Sequence, residues 1–420
     1  MIGFARQPER RCSHVGPLGD PLPVVLIESQ SPDCNGRRGE YAMLSYQHEY
    51  HVGNFADLHK HLVLFAVLES LSRKPKPWTA VDLFAGSGWY QLDSQAGREA
   101  RAAMPGVRAP IVRSAEWRRG YGCLRGDLAS DPLLARFQSR IGSVSMGGLR
   151  AGSYQSGESF AVTSDSRVTA QSDPNVENDS SELQCGGPPQ SGGRCDWGGL
   201  PGSPAWIMAA LRETDQALFC EWHPQAYQAL RDWTRAMHNS RDRGGATDSK
   251  GYRNGGAVAV HRRDAREAVN GLMPPRVRRG VVVIDPPYER LEEYSETTQI
   301  VAAARSRWPE ACVLLWSPRL HDDERDRLAA GLVDAVVRHE RRARRAGGES
   351  AATLCSRLEL DVESGLRGST VALLNAPFRI ELDLRGALNE MVDRLRGYPG
   401  GAVADDSGEG SIRHALDAGG

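Results

Sequence analysis

The chain has 420 residues, 40% of them apolar and 25% charged, with a formal net charge of −1. That is ordinary soluble composition, long enough for two or three average domains or for one large α/β domain with additions. Near-neutrality excludes a globally basic nucleic-acid binder, so such a partner needs a local patch, and no apolar run approaches the ~18 residues of a membrane span.

Residues 1–42 carry prolines and charges without periodicity and read as a flexible extension, or as sequence upstream of a true start at Met43. The run Pro23–Ile27 is too short and too late for a secretion signal. Order begins at Met43–Asn54. Asn54 is a good N-cap with Asp57 three residues on, and the spacing predicts a helix from Phe55 to about Ser72 with Phe55, Leu58, Leu62, Phe65 and Leu68 on one face. His48, His51, His59 and His61 read as solvated or core-satisfied histidines, because no carboxylate or thiolate partners suggest themselves for a metal. We expect no metal.

Trp78–Gly88 reads as a strand ending in Asp82, then a turn with Gly86 and Gly88 that lets backbone approach a ligand closely. A dinucleotide fingerprint needs a further glycine at position 91, which is Gln. The shorter turn favours S-adenosylmethionine. We therefore take 43–100 as the first part of a catalytic core, 101–146 as a helical insert and 147–199 as a low-complexity, disordered insertion. Between Ala151 and Gly199 there is one leucine and no isoleucine, too little apolar surface to offset ordering entropy. Residues 200–400 resume the core and 401–420 are a flexible tail.

In that second part, strands are predicted at Ala217–Glu221, Ala257–His261, Val281–Ile284 and Ala311–Trp316, with helical patterns between them. Thr353–Val362 and Thr370–Leu374 are expected to pair as an antiparallel edge. The alternation predicts a mostly parallel, doubly wound sheet. The eight cysteines (12, 34, 123, 185, 195, 220, 312 and 355) form no C-x-x-C pair. Cys220 and Cys312 fall in apolar runs and read as buried thiols, so a reducing cytoplasmic protein is expected.

The most informative stretch is Val281–Glu289. Four apolar β-branched residues predict a strand buried on both faces, and it runs into Asp285-Pro-Pro-Tyr288. Prolines end sheet pairing just past the carboxylate, at the sheet edge where open α/β proteins bind ligands. Asp82, Glu221, Asp264 and Asp285 all stand at or just beyond strand ends on that edge. Each alone reads as a helix N-cap or turn residue; in series, the second suits ribose hydroxyls and the third an adenine amine. An exocyclic base amine is a poor nucleophile because its lone pair is delocalised. If Asp285 and the carbonyl of Pro286 each accept one of its N–H bonds, the lone pair is freed to attack a sulfonium methyl. Tyr288 would stack on the base, after a paired base is extruded.

These residues resemble a known family. Tyr46-x-His48-x-x-His51-x-Gly53-Asn54-x-x-Asp57-x-x-Lys60-His61 is similar to the start of the ribosomal RNA large subunit methyltransferase J family, adenine-N6 methyltransferases of 23S rRNA. So are Asp82-x-x-Ala-Gly-x-Gly88-x-Tyr90, Pro201–Pro204, Glu221-x-His-Pro224, Asp285–Glu289 and, more loosely, Asn375–Phe378. The resemblance implies a class I S-adenosylmethionine-dependent methyltransferase fold, Rossmann-like, with a helical insert after the first strand. It implies cofactor contacts from Lys60, His61, Phe84, Gly86, Ser203, Glu221, Asp264, Ala265 and Asp285. Asp285, Pro286 and Tyr288 would be catalytic, and Tyr46, His48 and Tyr288 would meet the substrate RNA. Position 84 is Phe where the family pattern has His, and 265 is Ala where it has Gly.

The expected activity is methylation of an adenine N6 amine in protein-free 23S rRNA by a cytoplasmic monomer without membrane association. A DNA adenine-N6 methyltransferase shares the Gly turn and Asp-Pro-Pro-Tyr; a non-catalytic RNA-binding relative is the other alternative. Two arginine groups are candidates for phosphate contact, Arg338–Arg345 and the cluster Arg118, Arg119 and Arg125. Arg276, Arg278 and Arg279 fall at the far sheet edge.

Overall fold

The computed structural model describes residues 51–104, 106–113, 116–145, 197–243, 256–345, 352–360, 365–397 and 412–419. The extension at 1–42, Tyr46, His48 and all but the last three residues of the 147–199 insertion lie outside them. In chain order come α1 (Phe55–Ser72), β1 (Thr79–Asp82), β2 (Trp89–Gln91), α2 (Gln95–Ala102), two 3₁₀ turns (Glu116–Arg119 and Tyr121–Leu124), α3 (Pro132–Ser145), β3 (Gly199–Pro201), α4 (Ser203–Ala210) and β4 (Gln216–Cys220). Then follow α5 (Pro224–Arg243), β5 (Ala257–His261), α6 (Ala265–Leu272), β6 (Gly280–Ile284), α7 (Glu292–Arg307), β7 (Cys312–Leu320), α8 (Asp323–Arg345), β8 (Thr353–Leu360), β9 (Leu366–Leu374), α9 (Ile380–Gly397) and β10 (Ile412–Gly419).

The large sheet runs β10-β8-β9-β7-β6-β1-β4-β5. Strands β5, β4, β1, β6 and β7 are mutually parallel, and β9, β8 and β10 add antiparallel neighbours at the β7 side. The doubly wound, mostly parallel sheet is as the sequence implies, and β8 and β9 form the expected antiparallel pair. Ile412–Gly419 differs from expectation: it pairs along the whole of β8, where the sequence reading left a flexible tail over 401–420. An edge strand takes its stability from a partner's ladder rather than from its own apolar pattern, so composition does not reveal it.

Strand β6 is buried at every residue. Val281 and Val283 belong to a core shared with α1, α3, α4, α5 and α9, while Val282 and Ile284 belong to one shared with α6, α7 and α8. The two-residue period of the strand thus feeds two separate cores, which is why its sequence shows no alternation. Helix α1 is capped as predicted, with Asn54 Oδ1 accepting from the backbone N–H groups of Ala56 and Asp57. Asp57 reaches back one residue further than a capping box requires, accepting from Gly53 N at 2.8 Å. The helix is buried on nearly all sides rather than on one face.

The parallel strands all point their C-terminal ends at one edge. The sheet order turns there between β1 and β6, with β4 on one side and β7 on the other. That is the crevice where open α/β sheets hold ligands.

Candidate active site

The glycine turn is built first. β1 ends at Asp82, which is fully buried and accepts from Phe84 N at 3.2 Å and from Ser203 Oγ at 2.6 Å. Burial pushes the Asp82 carboxyl up to about 7, against the opposing pull of those two donors. Gly86 and Gly88 follow with φ of 60° and 77°. A Cβ at Gly86 would sit 2.6 Å from the Tyr90 hydroxyl, and one at Gly88 would strike Leu230 and Trp233, so the turn has no room for side chains.

The helix that belongs to this turn does not come next in sequence. Gly202 N donates to Gly88 O at 2.9 Å, and α4 begins at Ser203. The segment 89–201 is therefore an excursion between a glycine turn and its helix. Strands β2 and β3 close its base as a two-stranded ribbon. Its aromatic core docks on α1 and α4, with Phe137 stacked on Trp206 at 4.4 Å and Tyr121 Oη 2.8 Å from His61 Nδ1.

A cleft of about 1190 Å³ opens over the edge. Lys60, His61, Phe84, Gly86, Ser203, Glu221, Asp264, Ala265, Asp285, Pro286 and Tyr288 all line it. The described residues proposed from sequence are brought together. Glu221 lies at the end of β4 and accepts from Gly86 N at 2.8 Å and from His223 N at 2.7 Å. Burial raises its pKa, countered by those amides. Asp264 is the N-cap of α6, accepting from Arg266 N at 2.9 Å, the simpler role that the sequence also allowed. Asp82 lies beneath the glycine turn and is absent from the cleft lining, unlike the other three acids.

Asp285 is held from an unexpected direction. Lys60 in α1 extends its ammonium between Asp57, at 2.8 Å, and Asp285 Oδ2. All three side chains are largely buried. Burial opposes the lysine charge, but the two carboxylates outweigh it and hold its pKa above the ordinary lysine value. One oxygen of Asp285 is thereby engaged and the other, Oδ1, remains for a ligand. The Lys60 Nζ also stands 5.8 Å from the centre of the Trp316 ring.

Tyr288 has φ 52°, and its ring is packed inward. It stacks on Tyr294 at 4.6 Å and donates its hydroxyl to Trp316 O at 2.8 Å. Only 3% of the residue is exposed, so one face of this ring is already committed to protein. His59 and Cys220 are fully buried and Cys312 nearly so. His59 makes hydrogen bonds to Ser369 and Ser356 rather than to a ligand. Asn375, matched loosely to a motif, sits at the opposite edge and donates to Glu310 O and Ala311 O, with Phe378 beside it 88% exposed.

Sequence reasoning missed Lys60 as a partner of Asp285, Tyr121 as a partner of His61, Trp316, and Arg325. The first two pairings span 225 and 60 residues, and no local pattern encodes such distances.

A family model described as "Ribosomal RNA large subunit methyltransferase D, RlmJ" matches residues 192–405. The chain belongs to this family. Proteins called ribosomal RNA large subunit methyltransferase J from Haemophilus influenzae and from Escherichia coli K12 are each 25% identical to it, over 355 and 358 residues. Both alignments cover 84% of this chain and 94% of the relative. A crystal structure of a Legionella pneumophila protein superposes with a TM-score of 0.55 at 20% identity, covering 87% of this chain and 98% of that one. This likeness shows a shared fold. The RlmJ family placement makes the doubly wound sheet a class I methyltransferase core, with the 89–201 excursion set between its glycine turn and α4.

Proposed function

We propose that the chain methylates the N6 amine of an adenine in protein-free 23S ribosomal RNA, using S-adenosylmethionine as methyl donor and acting as a cytoplasmic monomer. The observation that carries this reading is the convergence of a glycine turn, Glu221 and the Asp285-Pro-Pro-Tyr288 loop on one cleft, in a member of an rRNA methyltransferase family.

The residues present fit the donor. Gly86 would let the backbone approach it closely, Glu221 beside the turn would accept from its ribose hydroxyls, and Asp264 with Ala265 would border its adenine. Ser203 is oriented by Asp82. Phe84 supplies an apolar wall where the family pattern has His. S-Adenosylmethionine supplies an electrophilic sulfonium methyl when bound.

The chain's own groups handle the amine. Asp285 Oδ1 and the Pro286 carbonyl accept its two N–H bonds and turn its lone pair outward. The freed lone pair would be the nucleophile for the donor's methyl group, whose bonding pair would leave with sulfur. The N–H held by Asp285 Oδ1 would then pass its proton to that carboxylate, so no strong base is needed beforehand. Lys60 fixes the Asp285 side chain through Oδ2, converting a flexible acceptor into a positioned one.

For the RNA backbone, α8 carries Arg338 and Arg345 13 and 20 residues beyond Arg325, roughly 20–30 Å along the axis from the cleft edge. Arg118 and Arg119 are exposed on the 3₁₀ turn packed against the start of α1, where His51 pairs with Glu116 at 3.1 Å. This proximity favours the insert as the phosphate-binding surface.

Tritiated-methyl transfer separates the readings. Label in protein-free 23S rRNA, recovered as N6-methyladenosine, is the expected result. Label in duplex DNA with none in rRNA would replace this function by DNA adenine methylation. No transfer to either would favour a non-catalytic RNA-binding protein.

A further inference from the structure

Arg325 is not an obvious part of the cleft chemistry, yet its guanidinium reaches the loop that carries it. One terminal nitrogen donates to Tyr288 O at 2.8 Å and the other to Glu289 O at 2.9 Å. These consecutive carbonyls belong to the two peptides on either side of Glu289, just beyond Tyr288, whose φ of 52° lies in the left-handed region. A bulky residue holds that conformation only where its surroundings over-determine it. Here they do: the ring is stacked on Tyr294, the hydroxyl is tied to Trp316 O, and Glu289 N donates to Glu293 Oε2 at 2.7 Å.

The anchor under Arg325 is rigid. Asp322 caps α8 by accepting from Arg325 N at 2.9 Å. The neighbouring Asp326 accepts from Arg319 Nε at 2.8 Å, from Leu320 N at 3.1 Å and from Arg367 at 2.6 Å, binding the first turn of α8 to β7 and β9. The fork geometry of guanidinium matches two adjacent carbonyls in a way an ammonium cannot.

We propose that Arg325 is a positioning residue for methyl transfer: it clamps the Tyr288–Glu289 peptide and thereby fixes where the Pro286 carbonyl and Asp285 point. The role rests on the amine-binding reading of that loop. Pro286 and Pro287 carry no N–H to anchor the segment themselves, so the loop is held from its distal side by Arg325 and from its proximal side by Lys60. A loosened clamp leaves the donor site of Gly86, Glu221 and Asp264 untouched but spreads the acceptor positions, and misplacement on the ångström scale is costly in rate.

Two measurements test this on the full chain with Arg325→Ala, Arg325→Lys and Asp285→Ala. The first is hydrogen exchange in the protein alone, which needs no substrate. Arg325→Ala is expected to accelerate exchange at Glu289, whose N–H is held by Glu293, at least tenfold, with β6 unchanged and Arg325→Lys intermediate. Unchanged loop exchange would overturn the clamp, whatever the protein's activity. The second is turnover on protein-free 23S rRNA. Arg325→Ala is expected to lose at least tenfold in kcat with S-adenosylmethionine affinity within about threefold of wild type, and added guanidinium should restore part of the rate. A kcat within threefold of wild type, or a loss that guanidinium leaves untouched, would reject the positioning role. Full turnover by Asp285→Ala would instead remove the amine-binding reading and leave the exchange result standing.

Discussion

Lys60 is the residue whose role the structure changes most. The resemblance implied a cofactor contact at this position. Here it is 4% exposed and lies between two carboxylates. Removing one member of a buried ion pair leaves uncompensated charge and costs about 3–5 kcal/mol. Lys60→Met should therefore lower stability by that order in urea unfolding, and the loss should shrink when Asp57→Asn is added. A neutral effect of Lys60→Met would mean that the pair is solvated. The position of Asp285 in the cleft was legible from sequence because a β-branched run followed by Asp-Pro-Pro-Tyr marks the end of a buried strand. Its restraint by Lys60 was not, since α1 and β6 meet only in the folded chain. Tyr288 shows the reverse limit: the motif gave a ring near a base, while the structure shows that ring stacked on Tyr294 and hydrogen-bonded to Trp316.

At the level of elements, the legible ones are those whose own sequence dictates them. β6 is a run of β-branched residues, and α1 has a cap and a helical length of apolar residues. β2 and β3 have three residues each, too few for any period, and exist because the Gly88–Gly202 contact brings them together. The Asp82–Ser203 bond seals that contact, and it titrates. Asp82 is held at about 7 against about 4 for a free carboxyl. The folded state thus binds this proton more tightly than the unfolded chain does. Its contribution is fully present below about pH 4 and is lost as pH rises through 7, on the order of 4 kcal/mol across that window. Wild type should therefore lose stability relative to Asp82→Asn between pH 4 and pH 8, measured by urea midpoint at each pH. A constant difference would contradict burial as the dominant influence. The 3₁₀ turn offers a second element-scale test. Arg118→Ala with Arg119→Ala should raise KM for rRNA about tenfold and reduce the slope of log affinity against log salt by about 1–2. The same changes at Arg341 and Arg342 should leave the salt slope unaltered.

For the whole molecule, strand order was the part that sequence left open. Alternating strand and helix patterns imply a parallel sheet, but not that β1 lies between β4 and β6 or that β10 caps the antiparallel side. Those are long-range choices, fixed by two cores that share β6. The resulting architecture separates duties. In the proposed function β1, α4, β4 and α6 build the donor side of the cleft and β6 and β7 with α8 hold the acceptor loop, while Lys60 ties α1 to that loop. The insert is attached to the glycine turn by Gly88 and Gly202, and its Arg108 and Pro110 reach the cleft. One measurement tests the central claim most directly: mass spectrometry of protein-free 23S rRNA after incubation with methyl donor and either wild type or Asp285→Ala. The account predicts one N6-methyladenosine with wild type and none with the variant, whose circular dichroism is unchanged. Near-normal methylation by Asp285→Ala, or no N6-methyladenosine with wild type, would contradict it.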